Sequence, residues 1–361
     1  MAPQARPGIL KIAPYVGGES AIPGANQVIR LASNENPLGP SPRAVAAYQA
    51  AGAELHRYPD GNAKALRAAI AETEGLEAEN IVCGAGSDEL ISLLVRAYAG
   101  PGDDVLYSAH GFLMYSISAR SVGATPIAAP ERDMTADVDA LLAAVTPDTR
   151  LLFLANPNNP TGSYLPEAEV RRLRESLPAD VLLVLDAAYA EYVEAADYEA
   201  GARLVRAFDN VVVTRTFSKI HGLASLRLGW AYCPPGVADV LNRLRGPFNV
   251  AAAAQAAGVA AIGDSDYVAS CKADNAANLA WFCARMAELG LETAPSVANF
   301  VALRFPEGAG KDAPAAAAHL KERGILVRQI AAYGLPEWLR ITIGRQEDMH
   351  AVAEALAEFM S

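Results

Sequence analysis

The sequence lacks the features that mark membrane, secreted and nucleic-acid-binding proteins. No apolar run reaches the roughly 18 residues that a membrane-spanning helix needs. Residues 1–12 include Arg6 and Lys11 but no apolar segment, so we expect no secretory signal. The net charge of -11 argues against nucleic acids and anionic membranes as partners. These absences predict a cytoplasmic protein with neither a nucleic-acid nor a membrane partner.

Cysteine is scarce, and the common nucleotide-binding signatures are missing. The 361 residues include four cysteines, which are scattered and show no Cys-x-x-Cys spacing: Cys83, Cys233, Cys271 and Cys283. This pattern argues against a disulfide framework and against a metal site. No P-loop signature occurs, and Gly84-Ala85-Gly86 lacks the third glycine of a dinucleotide fingerprint. We therefore expect buried free thiols and no bound metal.

The length and apolar content predict a large α/β core. The chain is 52% hydrophobic, and short apolar runs alternate with helical patterns up to residue 232. Seven of these runs are expected to form strands: Ile81–Cys83, Val105–Tyr107, Thr125–Ile127, Leu151–Leu154, Val181–Leu185, Val211–Thr214 and Gly229–Tyr232. Strands that alternate with helices predict a mainly parallel, doubly wound sheet.

The same patterns divide the chain into three regions. Residues 1–38 are rich in proline and glycine and show no clear period, which predicts an irregular N-terminal arm. Residues 39–250 contain the seven expected strands and are predicted to form a large domain. Residues 251–361 are predicted to form a smaller α+β domain, with strands at Asn299–Arg304, Ile325–Arg328 and Leu339–Ile343 and a final helix at Glu347–Met360.

The most informative segment runs from Thr216 to Gly229. Lys219 follows Ser218 just after an expected strand, and Arg227 lies eight residues further on. A lysine amine can form a covalent bond with an aldehyde, while hydroxyls and a guanidinium can hold a phosphate. The segment therefore has what a protein needs to hold a phosphorylated aldehyde covalently.

Three other polar segments follow expected strands: Gly84–Glu89, Asn156–Gly162 and Asp186–Tyr189. Ligands of open α/β sheets bind beyond the carboxyl ends of the strands, so we expect these segments to meet the Lys219 segment there. Free amides at the helix N-terminus after Gly84 would suit a phosphate. A carboxylate at the end of a strand can keep a cofactor ring nitrogen protonated.

The Lys219 segment resembles that of the fold-type I pyridoxal-phosphate (PLP) aminotransferases. Within that superfamily the chain is most similar to the histidinol-phosphate aminotransferases, from Leu31 to Arg340. The resemblance implies a large PLP-binding domain with a seven-stranded, mainly parallel sheet, a smaller C-terminal α+β domain, and PLP as the cofactor.

The resemblance also implies roles for single residues. Lys219 would bind the cofactor and move the substrate proton, and Asp186 would pair with the pyridine nitrogen. Tyr189 and Asn159 would hydrogen-bond the phenolic oxygen. The remaining cofactor contacts, to the phosphate and the ring face, would come from the Ser87 and Asp88 amides, the Ser218 hydroxyl, the Arg227 guanidinium and the Phe112 ring.

Further implied residues concern the partner subunit and the substrate. Tyr58 would reach the cofactor phosphate of the neighbouring subunit, which implies a homodimer with shared active sites. Arg340 and its companion Arg328 would bind the substrate's carboxylate or phosphate, beside Asn159. Tyr15 of the arm would close over the substrate.

The implied reaction converts L-histidinol phosphate and 2-oxoglutarate to imidazole-acetol phosphate and L-glutamate, a step of histidine biosynthesis. Phenylalanine or tyrosine as the main donor, or broad specificity, stays open, because Gln329–Pro336 resembles members that handle aromatic amino acids. A PLP-dependent decarboxylase acting on a phosphorylated amino acid and a non-catalytic binding module also stay open. His110-Gly111 and Arg345 depart from the commonest family pattern and bear on substrate choice.

Overall fold

The computed structural model describes residues 3–6, 8–24, 27–305, 308 and 310–361, so positions 1, 2, 7, 25 and 26 of the predicted arm lie outside the described residues. The strands are β1 (Ile29–Arg30), β2 (Ile81–Gly84), β3 (Asp104–Ser108), β4 (Thr125–Ala129), β5 (Glu131–Arg132), β6 (Thr135–Ala136), β7 (Thr149–Ala155), β8 (Leu182–Asp186), β9 (Val211–Thr216), β10 (Gly229–Tyr232), β11 (Phe300–Arg304), β12 (Ile325–Leu326), β13 (Arg328–Gln329) and β14 (Trp338–Thr342). The α-helices are α1 (Pro42–Ala51), α2 (Lys64–Glu74), α3 (Ser87–Tyr98), α4 (Met114–Val122), α5 (Val138–Ala143), α6 (Glu167–Ser176), α7 (Ala202–Ala207), α8 (Pro235–Leu244), α9 (Ala252–Ile262), α10 (Ser265–Glu288), α11 (Ala313–Glu322) and α12 (Gln346–Met360).

A seven-stranded sheet of order β2-β10-β9-β8-β7-β3-β4 forms the centre of the molecule. All its neighbouring pairs are parallel except those of β10, which is antiparallel to both β2 and β9. Each of the seven expected apolar runs forms one of these strands, so the predicted mainly parallel sheet is confirmed.

Helices cover both faces of this sheet, which explains why its strands are apolar throughout. Successive side chains of a strand point to opposite faces. On β8, Leu183 and Leu185 accordingly pack into one buried cluster, and Leu182 and Val184 into another. Both faces are therefore buried, and polar side chains are confined to the ends of the strands.

The C-terminal region contains a three-stranded antiparallel sheet of order β11-β14-β13. The prediction of a single strand at Ile325–Arg328 is wrong, because this stretch forms two short strands that pair with different partners. Ile325 and Leu326 pair in parallel with β1 of the arm, whereas Arg328 and Gln329 pair with β14. The prediction of an irregular arm is also corrected, because Ile29 and Arg30 of the arm form the strand β1.

Helix α9 packs with the seven-stranded sheet. Its residues Ala254, Ala257 and Ala261 belong to a cluster of the large core, whereas Phe282 and Met286 of α10 belong to the core of the small sheet. The change of core therefore falls after α9, beyond the predicted domain boundary at residue 250, which stays a prediction. Within the described ranges, no helix is long and apolar enough to cross a membrane.

One edge of the seven-stranded sheet collects the polar segments. Ala155 at the end of β7 is in register with Asp186 at the end of β8, and Asp186 is in register with Thr214 of β9. Gly229, the first residue of the antiparallel β10, lies opposite Thr216, the last of β9. The loops after β7, β8 and β9 and the loop before β10 are therefore brought to the same edge.

Gly222 allows the loop after β9 to pack closely against the segment before α1. It has a φ of +67°, and a Cβ there would overlap the Gly39 carbonyl, which is backbone and cannot rotate away. Gly102 has a φ of +96° but nothing within 4 Å of the corresponding position. The two glycines therefore share backbone conformation but differ in crowding.

We expect Gly222→Ala to destabilise the protein by more than about 3 kcal/mol, because both backbone strain and overlap oppose it. Gly102→Ala should cost only about 1–2 kcal/mol, from strain alone. Urea unfolding of the two variants, followed by circular dichroism, measures the difference. Equal losses of stability would contradict the overlap at Gly222.

Candidate active site

A cavity of about 380 Å³ lies at this edge of the sheet. Every predicted site residue except Tyr58 lines it: Tyr15, Ser87, Asp88, Phe112, Asn159, Asp186, Tyr189, Ser218, Lys219, Arg227, Arg328 and Arg340. The structure therefore brings together side chains from the arm, from five strand ends of the large sheet with the segments that follow them (β2, β3, β7, β8 and β9), and from two strands of the small sheet. The individual roles assigned to them stay predictions.

Lys219 lies in the loop that follows β9. Its Nζ donates a hydrogen bond to the Ser33 carbonyl at 3.3 Å and lies 5.5 Å from the centre of the Tyr189 ring. Burial, together with the positive charges of Arg340 and Arg227, lowers the pKa of the Lys219 amine to about 8. A much larger fraction of this amine is therefore neutral and nucleophilic near pH 8 than for an exposed lysine.

Asp186 ends β8 and is buried, with 6% of its surface exposed. Its two carboxylate oxygens accept hydrogen bonds from the Tyr115 hydroxyl at 2.7 Å and the Thr214 hydroxyl at 3.2 Å. Burial raises the pKa of Asp186 to about 6, the two hydrogen bonds opposing this shift. Within the described residues no arginine, lysine or histidine forms an ion pair with it, so a ligand cation would find an available carboxylate.

A cationic cup lies where α3 begins. The first amides of a helix have no partner within it, and here they belong to Ser87 and Asp88. Arg227 donates hydrogen bonds to the Ser218 hydroxyl at 3.3 Å and to the Asp88 carboxylate at 2.9 Å. Gly86 has a φ of +85°, and a Cβ there would push the Arg227 guanidinium out of its present position. Amides, hydroxyl and guanidinium together match the donors that a phosphate needs.

Two arginines, Arg328 and Arg340, lie next to each other in the wall of the cavity. Arg328 and Arg340 are paired directly across β13 and β14, a position in which like charges repel. Arg340 is buried and donates to the Asn159 side-chain oxygen at 2.6 Å and the Ala32 carbonyl at 2.8 Å. Arg328 donates to the Val16 carbonyl at 2.6 Å.

Neither arginine forms an ion pair within the part of the chain that the structure describes. Burial lowers the pKa of Arg340, and its Nε is buried without a hydrogen-bond partner. A buried guanidinium without a carboxylate, such as that of Arg340, is stabilised when an anion binds, and the half-buried Arg328 lies beside it. The arrangement therefore suits a carboxylate or phosphate group of a substrate.

Two aromatic rings form the apolar wall of the cavity. Phe112 lies in the loop after β3, and Tyr15 of the arm meets it edge to face, with ring centres 6.4 Å apart and an interplanar angle of 77°. Phe112 also meets Tyr115 edge to face, with centres 6.0 Å apart. The arm thus reaches the cavity, as expected for Tyr15.

Tyr58 does not line this cavity. It is 83% exposed and stacks on Phe248, with ring centres 4.7 Å apart. The sequence assigns Tyr58 to the site of a partner subunit, and that assignment stays a prediction.

A buried ion pair joins β9, which precedes the Lys219 loop, to the segment that carries Tyr189. Arg215, near the end of β9, donates to Glu191 at 2.9 Å and stacks over the Trp230 ring at 5.3 Å. Because Glu191 follows Tyr189 by two residues, this pair links the positions of the two loops.

Sequence reasoning gave no role to Asn34, Ser33, Tyr115 or Thr214, which contact the predicted residues directly. Asn34 donates to the Tyr189 hydroxyl at 2.9 Å. Thr214 could have been noticed in the sequence, because it is a hydroxyl residue that directly follows three valines of an expected strand. Tyr115 stands in a helix like any core aromatic, so no pattern distinguished it.

The two departures from the family pattern lie beside the cavity. His110 approaches the Tyr333 carbonyl through its Nδ1 at 2.6 Å, and Arg345 donates to the Pro37 carbonyl at 3.1 Å. Neither side chain is among the residues that line the cavity. An influence on substrate choice would therefore act through the Tyr333 turn or the segment at Pro37.

The residues present fit a phosphorylated pyridine aldehyde such as PLP. The cup at α3 matches its phosphate, and the buried, unpaired Asp186 matches a protonated ring nitrogen. Asn159 and Tyr189 line the same cavity and offer hydrogen bonds to a ring oxygen. The Lys219 amine opens into the same cavity and can bind the aldehyde.

The raised pKa of Asp186 predicts a pH-dependent stability of the cofactor-free protein. The folded state binds this proton more tightly than the unfolded chain, whose pKa is 3.8. Ionisation of this carboxyl therefore destabilises the fold increasingly as the pH rises from about 4 to about 6. Above about pH 6 the destabilisation has its full size. We expect cofactor-free Asp186→Asn to be more stable than wild type at pH 7.5, by up to about 3 kcal/mol, with a smaller gain at pH 5.

Urea unfolding at the two pH values measures this gain. The exposed Asp209→Asn serves as the matched control and should leave stability unchanged at both. An Asp186→Asn protein no more stable than wild type at pH 7.5 would contradict the buried, unpaired carboxylate.

Comparisons with known proteins agree with this geometry. The family model described as aminotransferase class I and II matches residues 26–356. The chain is 61% identical to a histidinol-phosphate aminotransferase from Paramagnetospirillum magneticum and 58% identical to one from Rhodospirillum centenum, each alignment covering 99% of both chains.

Solved structures extend the likeness to the whole fold. The histidinol-phosphate aminotransferase from Sinorhizobium meliloti, solved in complex with pyridoxal-5'-phosphate, is 30% identical with a TM-score of 0.91, over 100% of this chain and 98% of that one. The aspartate aminotransferase from Thermus thermophilus, 21% identical with a TM-score of 0.81 over 92% of each chain, shares the fold. The chain therefore belongs to the class I and II aminotransferase family and, within it, to the histidinol-phosphate aminotransferases.

Proposed function

We propose that this chain is a PLP-dependent aminotransferase that transfers the amino group of L-histidinol phosphate to 2-oxoglutarate, giving imidazole-acetol phosphate and L-glutamate in histidine biosynthesis. One observation carries the proposal. The Lys219 amine lines the same cavity as a buried carboxylate without a cation, Asp186, and a pair of neighbouring arginines without an anion, all within the described residues. The names of the relatives at 58% and 61% identity support the choice of donor.

The chain's residues divide the work of the reaction. When bound, PLP supplies an aldehyde that takes up the amino group and a ring that withdraws electrons from the substrate α-carbon. With PLP bound, Asp186 would hold the proton on the ring nitrogen, and Tyr189 and Asn159 would bind the phenolic oxygen. The Lys219 amine would move the proton between the substrate α-carbon and the cofactor C4′ carbon.

Arg340 and Arg328 bind the anionic end of the substrate. Planar guanidinium groups match the oxygens of a phosphate or carboxylate bidentately, so the pair accepts the phosphate of the donor and a carboxylate of the keto acid in turn. Tyr15 and Phe112 provide an apolar wall for the imidazole ring and help to exclude water.

A decarboxylase and a non-catalytic binding module have less support. Either would share the same residues, but the relatives are named as aminotransferases. An aromatic amino acid as donor would use the same ring wall and the same arginines. The two donors are therefore distinguished by comparing their reaction rates directly.

We also propose a homodimer whose active sites are shared, with Tyr58 reaching the cofactor phosphate of the partner subunit. Its support is that Tyr58 and Phe248 stack on each other and are exposed, and that three further apolar side chains of the preceding stretch of sequence are exposed as well: Val45, Tyr48 and Leu55. Surface of this kind suits a contact with a second copy of the chain.

A cytoplasmic location is part of the proposal. All four cysteines lie in the described part of the chain and are free thiols, three of them buried. Free thiols are typical of proteins in reducing compartments. The reactants are then small molecules of the cytoplasm.

A single-turnover experiment tests the donor. PLP-loaded protein is mixed without a keto acid with L-histidinol phosphate, L-phenylalanine or L-histidinol, and the loss of the cofactor absorbance band is timed. We expect L-histidinol phosphate to react fastest. L-Histidinol should react on the order of 100-fold more slowly, because it lacks the anion that the arginines bind.

Lys219→Ala is the control and should abolish turnover while its circular dichroism stays that of wild type. Faster reaction with phenylalanine would assign the chain to aromatic donors, and comparable rates would mean broad specificity. Turnover by Lys219→Ala at the wild-type rate would refute the aminotransferase proposal as a whole.

Mixed dimers test the shared site. We expect Tyr58→Phe to weaken cofactor binding about tenfold, because it removes one phosphate hydrogen bond. In a dimer of one Lys219→Ala and one Tyr58→Phe protomer, the site with an intact lysine takes an intact tyrosine from its partner. That site should bind PLP with wild-type affinity in an equilibrium titration. Affinity that stays at the Tyr58→Phe value would place Tyr58 outside the partner's site.

A further inference from the structure

Asn34 lies where the N-terminal segment crosses the cavity. The carbonyls of the two residues before it accept hydrogen bonds from Arg340 at 2.8 Å and from Lys219 at 3.3 Å. The Asn34 side-chain amide donates to the Tyr189 hydroxyl at 2.9 Å. Three consecutive residues of this segment therefore contact three different residues of the site.

The position of the Asn34 amide is determined by the strand β14. The backbone amide of Asn34 donates to the Thr342 hydroxyl at 2.9 Å, and that hydroxyl donates in return to Asn34 Oδ1 at 3.2 Å. Asn299 donates to the Asn34 carbonyl at 3.1 Å, and Asn34 is 1% exposed. With Oδ1 held by Thr342, the Nδ2 group points to Tyr189.

This contact decides the direction of the Tyr189 proton. A phenol has one proton to donate and two lone pairs that accept. Because Asn34 donates to the oxygen, the phenol proton is directed away from Asn34 and is available to the cavity. Burial raises the pKa of Tyr189 to about 12, against the opposing effects of Arg340 and Asn34, so the phenol keeps its proton at neutral pH.

We infer that Asn34 is a positioning residue that makes Tyr189 a hydrogen-bond donor to the phenolic oxygen of the cofactor, with Thr342 holding the Asn34 amide in place. The inference rests on the proposed function, since it concerns bound PLP. In this way the segment before α1 and the strand β14 influence the electronic state of the bound cofactor.

The expected effect is on the acidity of the nitrogen that joins Lys219 to the cofactor. A proton donated to the phenolic oxygen stabilises its anionic form and weakens its attraction for a proton on that nitrogen. Loss of the donated proton should therefore raise the pKa of this nitrogen. The absorbance of the PLP-loaded protein, titrated against pH without substrate, reports that pKa directly.

The test is a double-mutant cycle of Asn34→Gly and Tyr189→Phe. Asn34 has a φ of 55°, which glycine adopts without strain, so Asn34→Gly removes the amide and keeps the backbone conformation. We expect Asn34→Gly to raise the midpoint of the titration by about 1 pH unit. In the Tyr189→Phe background the same change should add nothing, because Asn34 acts through the phenol.

Two threonine variants complete the test. Thr342→Val keeps the shape of the side chain but releases the Asn34 amide, and it should raise the midpoint by a smaller amount, again only when Tyr189 is present. Thr149→Val changes a threonine that is equally buried but lies at the opposite end of β7, and it should leave the midpoint unchanged. If Asn34→Gly fails to fold, Thr342→Val carries the test alone.

The outcomes separate this inference from the proposed function. Equal shifts in both backgrounds, no shift in either, or a midpoint that falls would each overturn the inference, a fall meaning that Tyr189 donates to Asn34. A wild-type protein without a pH-dependent band of covalently bound PLP would instead overturn the proposed function, before any variant is compared.

Discussion

The site depends on charges that the protein buries and does not neutralise. Asp186 lines the cavity without an ion-pair partner among the described residues, and Arg340 and Arg328 line the same cavity without a carboxylate of the described chain paired to them. An unpaired buried charge is costly, so the buried Asp186 and Arg340 each stabilise a ligand of opposite charge, and the half-buried Arg328 adds to the attraction for an anion. Hydrogen bonds from Tyr115 and Thr214 keep the carboxylate in position until such a ligand arrives.

Three parts of the fold determine where these charged groups lie. The seven-stranded sheet presents Asp186 and the Lys219 loop at its carboxyl edge, and the antiparallel pair β13 and β14 presents the arginines. The segment around Asn34 contacts both, and β1 joins it to the small sheet. The segment thereby connects the Tyr189 loop of the large sheet with Arg340 of the small sheet.

The sequence predicts the parts of this arrangement that follow from local pattern. All seven apolar runs form strands, and those in the middle of the sheet are buried on both faces. The polar residues that follow parallel strands, Asp186 and Lys219 among them, therefore meet at one edge. Asn34 has no such pattern, because its left-handed backbone and its contact with Tyr189, 155 residues away, depend on tertiary packing. The division of residues 325–329 between two partner strands depends on packing as well. Tyr58 cannot be judged from one chain, since its predicted place is in a second one.

These charges also make the pKa of Lys219, the base of the proposed reaction, depend on whether substrate is bound. After burial, the charge of Arg340 is the largest influence that lowers the pKa of Lys219. An anion bound to Arg340 offsets that charge, and the amine becomes a stronger base. The effect is confined to the bound state, because only the substrate brings the anion. In the proposed reaction, binding of the anionic end therefore does more than orient the donor, since it raises the proton affinity of the amine to which the α-proton transfer is assigned.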